Sequence, residues 1–164
     1  VSTKSASRCF DELEYLNIDV LGMKGKSRVI NIPDDREQLW QQIENVLRNP
    51  VIRRFVLRED KKLEKKAGIS ALCEYSLLSD NVYPTYAVTK KELKDSGVKV
   101  EKQVSELEEI GCVVLELGYF IDFLGKGFQD PLSVVLSFTG EEQEEERVDI
   151  SINEMLEEYV WSKD

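Results

Sequence analysis

Histidine is absent from the 164 residues, and cysteine is limited to Cys9, Cys73 and Cys112. The first absence removes the side chain most used as a general acid or base near neutral pH, and the commonest metal ligand. The second leaves no cysteine pair at zinc-ligand spacing. An odd number of widely separated thiols, set among apolar residues, implies no disulfide framework and reads as buried, reduced cysteines of a cytosolic protein. No apolar run approaches the length of a bilayer span, and the N-terminus lacks the apolar core of a signal peptide, so the expected location is the cytoplasm. With no paired-carboxylate signature either, neither an enzyme nor a metal or cofactor site is expected.

Net positive charge is also lacking. At −10 the chain does not carry a surface that grips nucleic acid everywhere. The distribution is uneven, however. Residues 1–32 hold five bases (Lys4, Arg8, Lys24, Lys26, Arg28) against four acids (Asp11, Glu12, Glu14, Asp19), or +1, which leaves −11 for residues 33–164. With 41% hydrophobic and 9% aromatic residues there is enough apolar material for a core.

Ser2 or Thr3 offers a helix N-cap, and Ala6, Cys9/Phe10, Leu13 and Leu16 recur at helical spacing up to Asn17. Two β-type runs, Ile18–Leu21 and Ser27–Ile32, then flank Gly22–Lys26, predicting a basic hairpin. A second helix is predicted over 34–48, with an Asp N-cap, a face of Leu39, Trp40, Ile43, Val46 and Leu47, and a stop at Asn49-Pro50. Beyond it lie a strand at Val51–Leu57 and a charged loop at Arg58–Lys66. A short helix at Gly68–Leu78 and a Pro-containing edge strand at Tyr83–Val88 come next. Thr89-Lys90-Lys91-Glu92 matches a capping box for a helix ended by Gly97; a strand is expected over 98–104, a turn over 105–110, and a strong strand over Gly111–Phe120. The stretch after Asp130-Pro131 fits a helix or a strand, and a last helix is expected from about Glu144.

The expected organisation is therefore α+β: residues 1–32 as one functional segment, 33–50 as a connecting helix, and 51–164 as a small mixed α/β domain. Chemistry-bearing candidates in the rear domain are few. Gly68-Ile69-Ser70 lacks the carboxylates that nucleotidyl transfer needs on a following strand, and Gly25 and Gly125-Lys126-Gly127 lack P-loop spacing. Asp122, Asp130 and Glu141–Glu146 lack the alternating ligands of a calcium loop and read as a solvated helix start. Trp40 and Trp161 are expected as core or interface anchors, and Arg53 and Arg54 should face opposite ways on their strand.

The front segment is more informative. A helix with Ser2, Thr3, Ser5 and Ser7 on its first turns, beside Lys4 and Arg8, allows close approach to a major groove, and a basic hairpin after it suits backbone contact. Val1-Ser2 and Arg8, then Phe10-Asp11-Glu12-Leu13-Glu14 and Leu16, then Lys24-Gly25-Lys26 resemble the C-terminal half of the winged-helix domain of MarR-like bacterial transcription regulators. The resemblance implies that the motif's first two helices precede Val1. It also implies that Lys4, Ser5 and Arg8 contact the groove, that Lys24, Lys26 and Arg28 contact phosphates, and that the regulator works as a homodimer on operator DNA. The rest of the chain, by Leu39-Trp40, Asn49-Pro50-Val51, Tyr83-Pro84-Thr85-Tyr86-Ala87 and Asp130-Pro131-Leu132-Ser133, resembles an α/β domain carried by such regulators. Its Ala67-Gly68-Ile69-Ser70-Ala71-Leu72 helix is similar, more distantly, to one in the antitoxin of abortive-infection type IV toxin-antitoxin systems, implying a toxin partner. Set against this stand an ordinary amphipathic helix packed on a hairpin, and a protein-protein interaction module without DNA binding.

Overall fold

The computed structural model describes residues 2–96 and 110–162 of a mixed α+β protein. The strand expected over 98–104, its following turn and the Gly97 helix stop lie outside the described residues. The chain divides into two compact units, Val1–Leu47 and Arg48–Asp164. Among the described residues no helix is long and apolar enough to cross a membrane.

The first unit is a helix, a hairpin and a second helix. Helix α1 (Thr3–Tyr15) starts on Ser2, whose hydroxyl accepts from the Ser5 amide at 3.2 Å. It ends on Asn17, which is left-handed (φ 53°) and donates to the Glu14 carbonyl while Ile18 donates to that of Leu13. That double bond is the Schellman stop, with Asn in the position glycine usually takes. The hairpin is β1 (Leu21–Lys24) and β2 (Ser27–Ile30), paired antiparallel from Leu21↔Ile30 to Lys24↔Ser27. The first strand therefore lies later than the expected Ile18–Leu21, and the turn is only Gly25-Lys26. Gly22 sits inside β1, where an Asn31 side-chain nitrogen would lie 2.2 Å from any Cβ added. Helix α2 (Arg36–Ile43), capped by Asp35 on the Gln38 amide, buries Trp40 and tightens into a 3₁₀ turn at Glu44–Val46.

The second unit is built on a three-stranded sheet of order β3-β5-β4, from β3 (Val51–Leu57), β4 (Thr85–Thr89) and β5 (Cys112–Leu117). Every residue of central β5 is buried, as its Val- and Leu-rich run requires of a strand covered on both faces. It pairs antiparallel with β3, across a register shift between Val51 and Arg53, and parallel with β4. One face gathers Phe55, Leu57, Tyr86, Val88, Cys112 and Val114 against Leu63 and Leu93; the other gathers Ala67, Ala87, Val113, Leu115 and Leu117. Strand β4 is the edge, with Pro84 just before it. Its outer side is bordered by the Lys65–Ala67 segment through Ala67 N to Thr85 O and Ala87 N to Lys65 O.

Among the described residues five short helices accompany this sheet. In α3 (Gly68–Leu72) all five residues are buried, and the helix stops well before the expected Leu78; beyond it the Ser76 hydroxyl donates to the Leu72 carbonyl and accepts from the Leu78 amide. The capping box Thr89/Glu92 opens α4 (Lys90–Asp95) as expected. Asp130 and Pro131 at the N-cap and first position decide for a helix, α5 (Pro131–Ser137), over its β-branched composition. A second capping box, Thr139/Glu142, opens a separate short helix α6 (Gly140–Gln143), so α7 starts only at Glu146 and runs to Leu156 before a π-helical turn at Glu157–Trp161. At that end Tyr75, its hydroxyl donating to the Gln129 carbonyl at 2.6 Å, packs edge-on against Phe123, Phe128 and Tyr159 at 5.1 to 5.3 Å.

Candidate nucleic-acid interface

The six bases and hydroxyls expected at DNA all lie in the first unit. Lys4 and Arg8, four apart on α1, are exposed on one stripe of the helix. Ser5 stands between them with its hydroxyl 2.9 Å from that of Ser2, so the N-cap holds it in place. Lys24 ends β1 and Lys26 is the second turn residue; both are exposed. Gly25 precedes Lys26 at φ 64° with open space around it, the first-position left-handed turn that joins two twisted strands tightly. Among the described residues none of Lys4, Arg8, Lys24 and Lys26 enters an ion pair.

Arg28 is placed differently. From β2 its guanidinium donates to Asp11 at 2.7 Å and to the Ser7 hydroxyl at 2.9 Å, approaches Glu14 at 3.8 Å, and lies 5.0 Å from the centre of the Phe10 ring. The Asp11 hydrogen bond, followed by the charges of Asp11 and Glu14, holds it more firmly protonated. Arg28 thus ties the hairpin to α1, with its donors turned to the helix rather than outward. The residues that engage it stand 14 to 21 positions away, and no local spacing announces them.

The helix itself buries none of its residues. Cys9 on its outer side is exposed, contrary to the expected burial, while Cys73 is partly and Cys112 fully buried; all three are free thiols. The apolar content of the unit is only partly enclosed: Ile18, Val20 and Trp40 are buried, whereas Tyr15, Met23, Ile30 and Ile32 are each more than half exposed.

The second unit pairs several of its bases with carboxylates, among them Arg53, Arg54, Lys65 and Lys66. As expected, Arg53 and Arg54 diverge. Arg53 donates through Nε at 2.6 Å to Glu116, whose side chain is 3% exposed, and Arg54 clamps Glu142 with two bonds of 2.6 and 2.9 Å. Among the described residues no group of three or more acidic, cysteine or histidine side chains is placed to hold a metal ion. Comparison with family models, with curated proteins and with solved structures finds no match.

Proposed function

We propose that the first unit binds double-stranded operator DNA, as the helix and wing of a MarR-like winged-helix transcription regulator, and that the chain is not an enzyme. The observation that carries this reading is the sorting of the bases. Four of them, on the first turns of α1 and around the hairpin tip, stand exposed and outside any ion pair among the described residues, while the fifth, Arg28, fixes the hairpin against the helix. A groove-reading helix and a phosphate-contacting wing need a fixed mutual geometry, and Arg28 supplies it as a positioning residue. Lys4, Ser5 and Arg8 then meet the groove, and Lys24 and Lys26 meet phosphates. The Arg48–Asp164 unit serves ligand sensing, homodimerisation or the binding of a partner such as a toxin.

The test is fluorescence anisotropy of the full chain on duplex DNA from its own upstream region, across a salt series. Changing Lys4, Arg8, Lys24 and Lys26 together to Ala should weaken binding and lower the slope of log K against log salt by about 1.8, at about 0.9 for each of the two phosphates that Lys24 and Lys26 no longer neutralise. Arg28→Ala should weaken binding while leaving most of that slope in place. Unaltered affinity and slope in the fourfold variant would refute DNA binding by this face and leave the interaction-module reading, which the exposed apolar side chains of the second unit favour.

A further inference from the structure

At the end of the second unit a strained turn holds an apolar side chain out in solvent. Leu124 has φ 53° and ψ 25°, left-handed for a residue with a Cβ, and is 77% exposed between Phe123 and two left-handed glycines, Gly125 and Gly127. Strain of this kind persists where something recovers its cost. Ile121, 54% exposed, lies two positions before Phe123, next to Asp122, which bridges to Gln129. The Phe123 ring meets that of Tyr159, 39% exposed on the π-helical turn, at 5.9 Å. Leu124, Ile121 and Tyr159 are thus three exposed apolar side chains grouped about Phe123, the first two by their place in the chain and the third by ring contact.

The rim of the patch is acidic. Asp122 is exposed next to Phe123 in the chain, and Glu157 and Glu158 are exposed next to Tyr159. The nearby cation, Lys126, lies over the Phe128 ring at 5.9 Å. The adjoining helical stretch, Glu146–Trp161, adds Glu146, Asp149 and Glu154 against Arg147 alone.

We propose that this patch docks a basic amphipathic helix of a partner protein, with partner leucines on Leu124, Ile121 and Tyr159 and partner lysines or arginines on the acidic rim. Apolar contact at the centre and opposite charge around it are the complement that this surface lacks. The assignment is independent of the DNA reading, because it concerns other residues.

The probe is a labelled synthetic helix with leucines on one face and lysines on the other, titrated by anisotropy with the full chain in the absence of DNA. Wild type should bind it in the micromolar range. Leu124→Gly should raise the melting temperature by about 3 °C, by relieving the left-handed leucine, and yet weaken the peptide about tenfold or more. Leu124→Gln should weaken it equally. A peptide with the same lysines but glutamines for leucines, or with glutamates for lysines, should bind at least about tenfold more weakly. Equal binding by either Leu124 variant or by either control peptide, or no binding by wild type, overturns the proposal. So does self-association of the wild-type chain that Leu124→Gln abolishes, since the patch would then be a homodimer contact.

Discussion

Replacing Glu92 with glutamine should make the stability of the second unit less sensitive to acid, by an amount the capping geometry sets. The Glu92 carboxylate takes the Lys65 ammonium, the Thr89 amide at 2.8 Å and the Thr89 hydroxyl at 2.9 Å. These partners, Lys65 foremost, hold its pKa at about 2 rather than 4.5. A folded pKa below the unfolded one means that the stabilisation is complete above pH 4.5 and disappears as pH falls towards 2. At about 1.4 kcal/mol per unit, the full shift corresponds to roughly 3 kcal/mol. The Glu92 side chain is 44% exposed, so solvent screening brings the real contribution to about 1 kcal/mol. Glutamine still accepts from the Thr89 amide as a capping-box residue, so the substitution removes chiefly the charge-dependent part. Urea unfolding of Glu92→Gln should show a loss of about 1 kcal/mol at pH 7, or about 4 °C in Tm, that shrinks towards zero by pH 2.5. A difference that stayed constant from pH 7 to pH 2.5 would show that the carboxylate acts through shape alone. Glu142 titrates in the same direction: burial raises its pKa, but the Arg54 clamp and the Thr139 bonds together outweigh that and leave it lowered, so acid weakens α6 as pH falls below the ordinary carboxylate range.

Two further outcomes follow from the packing. Arg53→Ala leaves the Glu116 carboxylate buried without its cation and should cost about 2 to 3 kcal/mol in chemical denaturation. Converting both residues to methionine should cost clearly less, and a cycle with no coupling would refute the pairing. At Gly111 an added Cβ would lie 2.4 to 2.5 Å from backbone atoms of Arg58, Glu59 and Asp60. Gly111→Ala should therefore cost about 3 kcal/mol or more by forcing the loop off the start of β5, and a loss below about 1 kcal/mol would show that the loop yields freely.

The elements that local chemistry dictates were legible in the chain. Asp35, Thr89 and Asp130 mark helix starts because a cap and its first turn lie within three residues of each other. The apolar run of β5 reads as a buried strand, and the spacing of Ala6, Phe10 and Leu13, all only partly buried, as an amphipathic helix, because apolar periodicity is written into nearby residues. The concentration of Lys4, Arg8, Lys24 and Lys26 within the first 32 residues was visible by counting charges along the chain. Thr139-Gly140-Glu141-Glu142 repeats the capping-box pattern of Thr89–Glu92 and was equally readable, but the acidic run around it concealed a break between two helices.

What tertiary structure alone decided depends on partners far along the chain. Arg28 looked like one more phosphate contact until folding brought Asp11 and Ser7 to its guanidinium. Gly22 looked like a turn residue, but it lies inside β1, where it pairs with Val29. The parallel pairing of β4 with β5, the burial of Glu116 under Arg53 and the left-handed Leu124 beside the Tyr159 ring likewise have no local signature. Capping, period and charge act over one or two turns, so the sequence by itself marks helix starts such as Asp35 and Thr89, the buried run of β5 and the segment richest in bases. Whether a given base is held as a strut or left free depends on which distant carboxylates the packing delivers to it, and that only the folded chain settles.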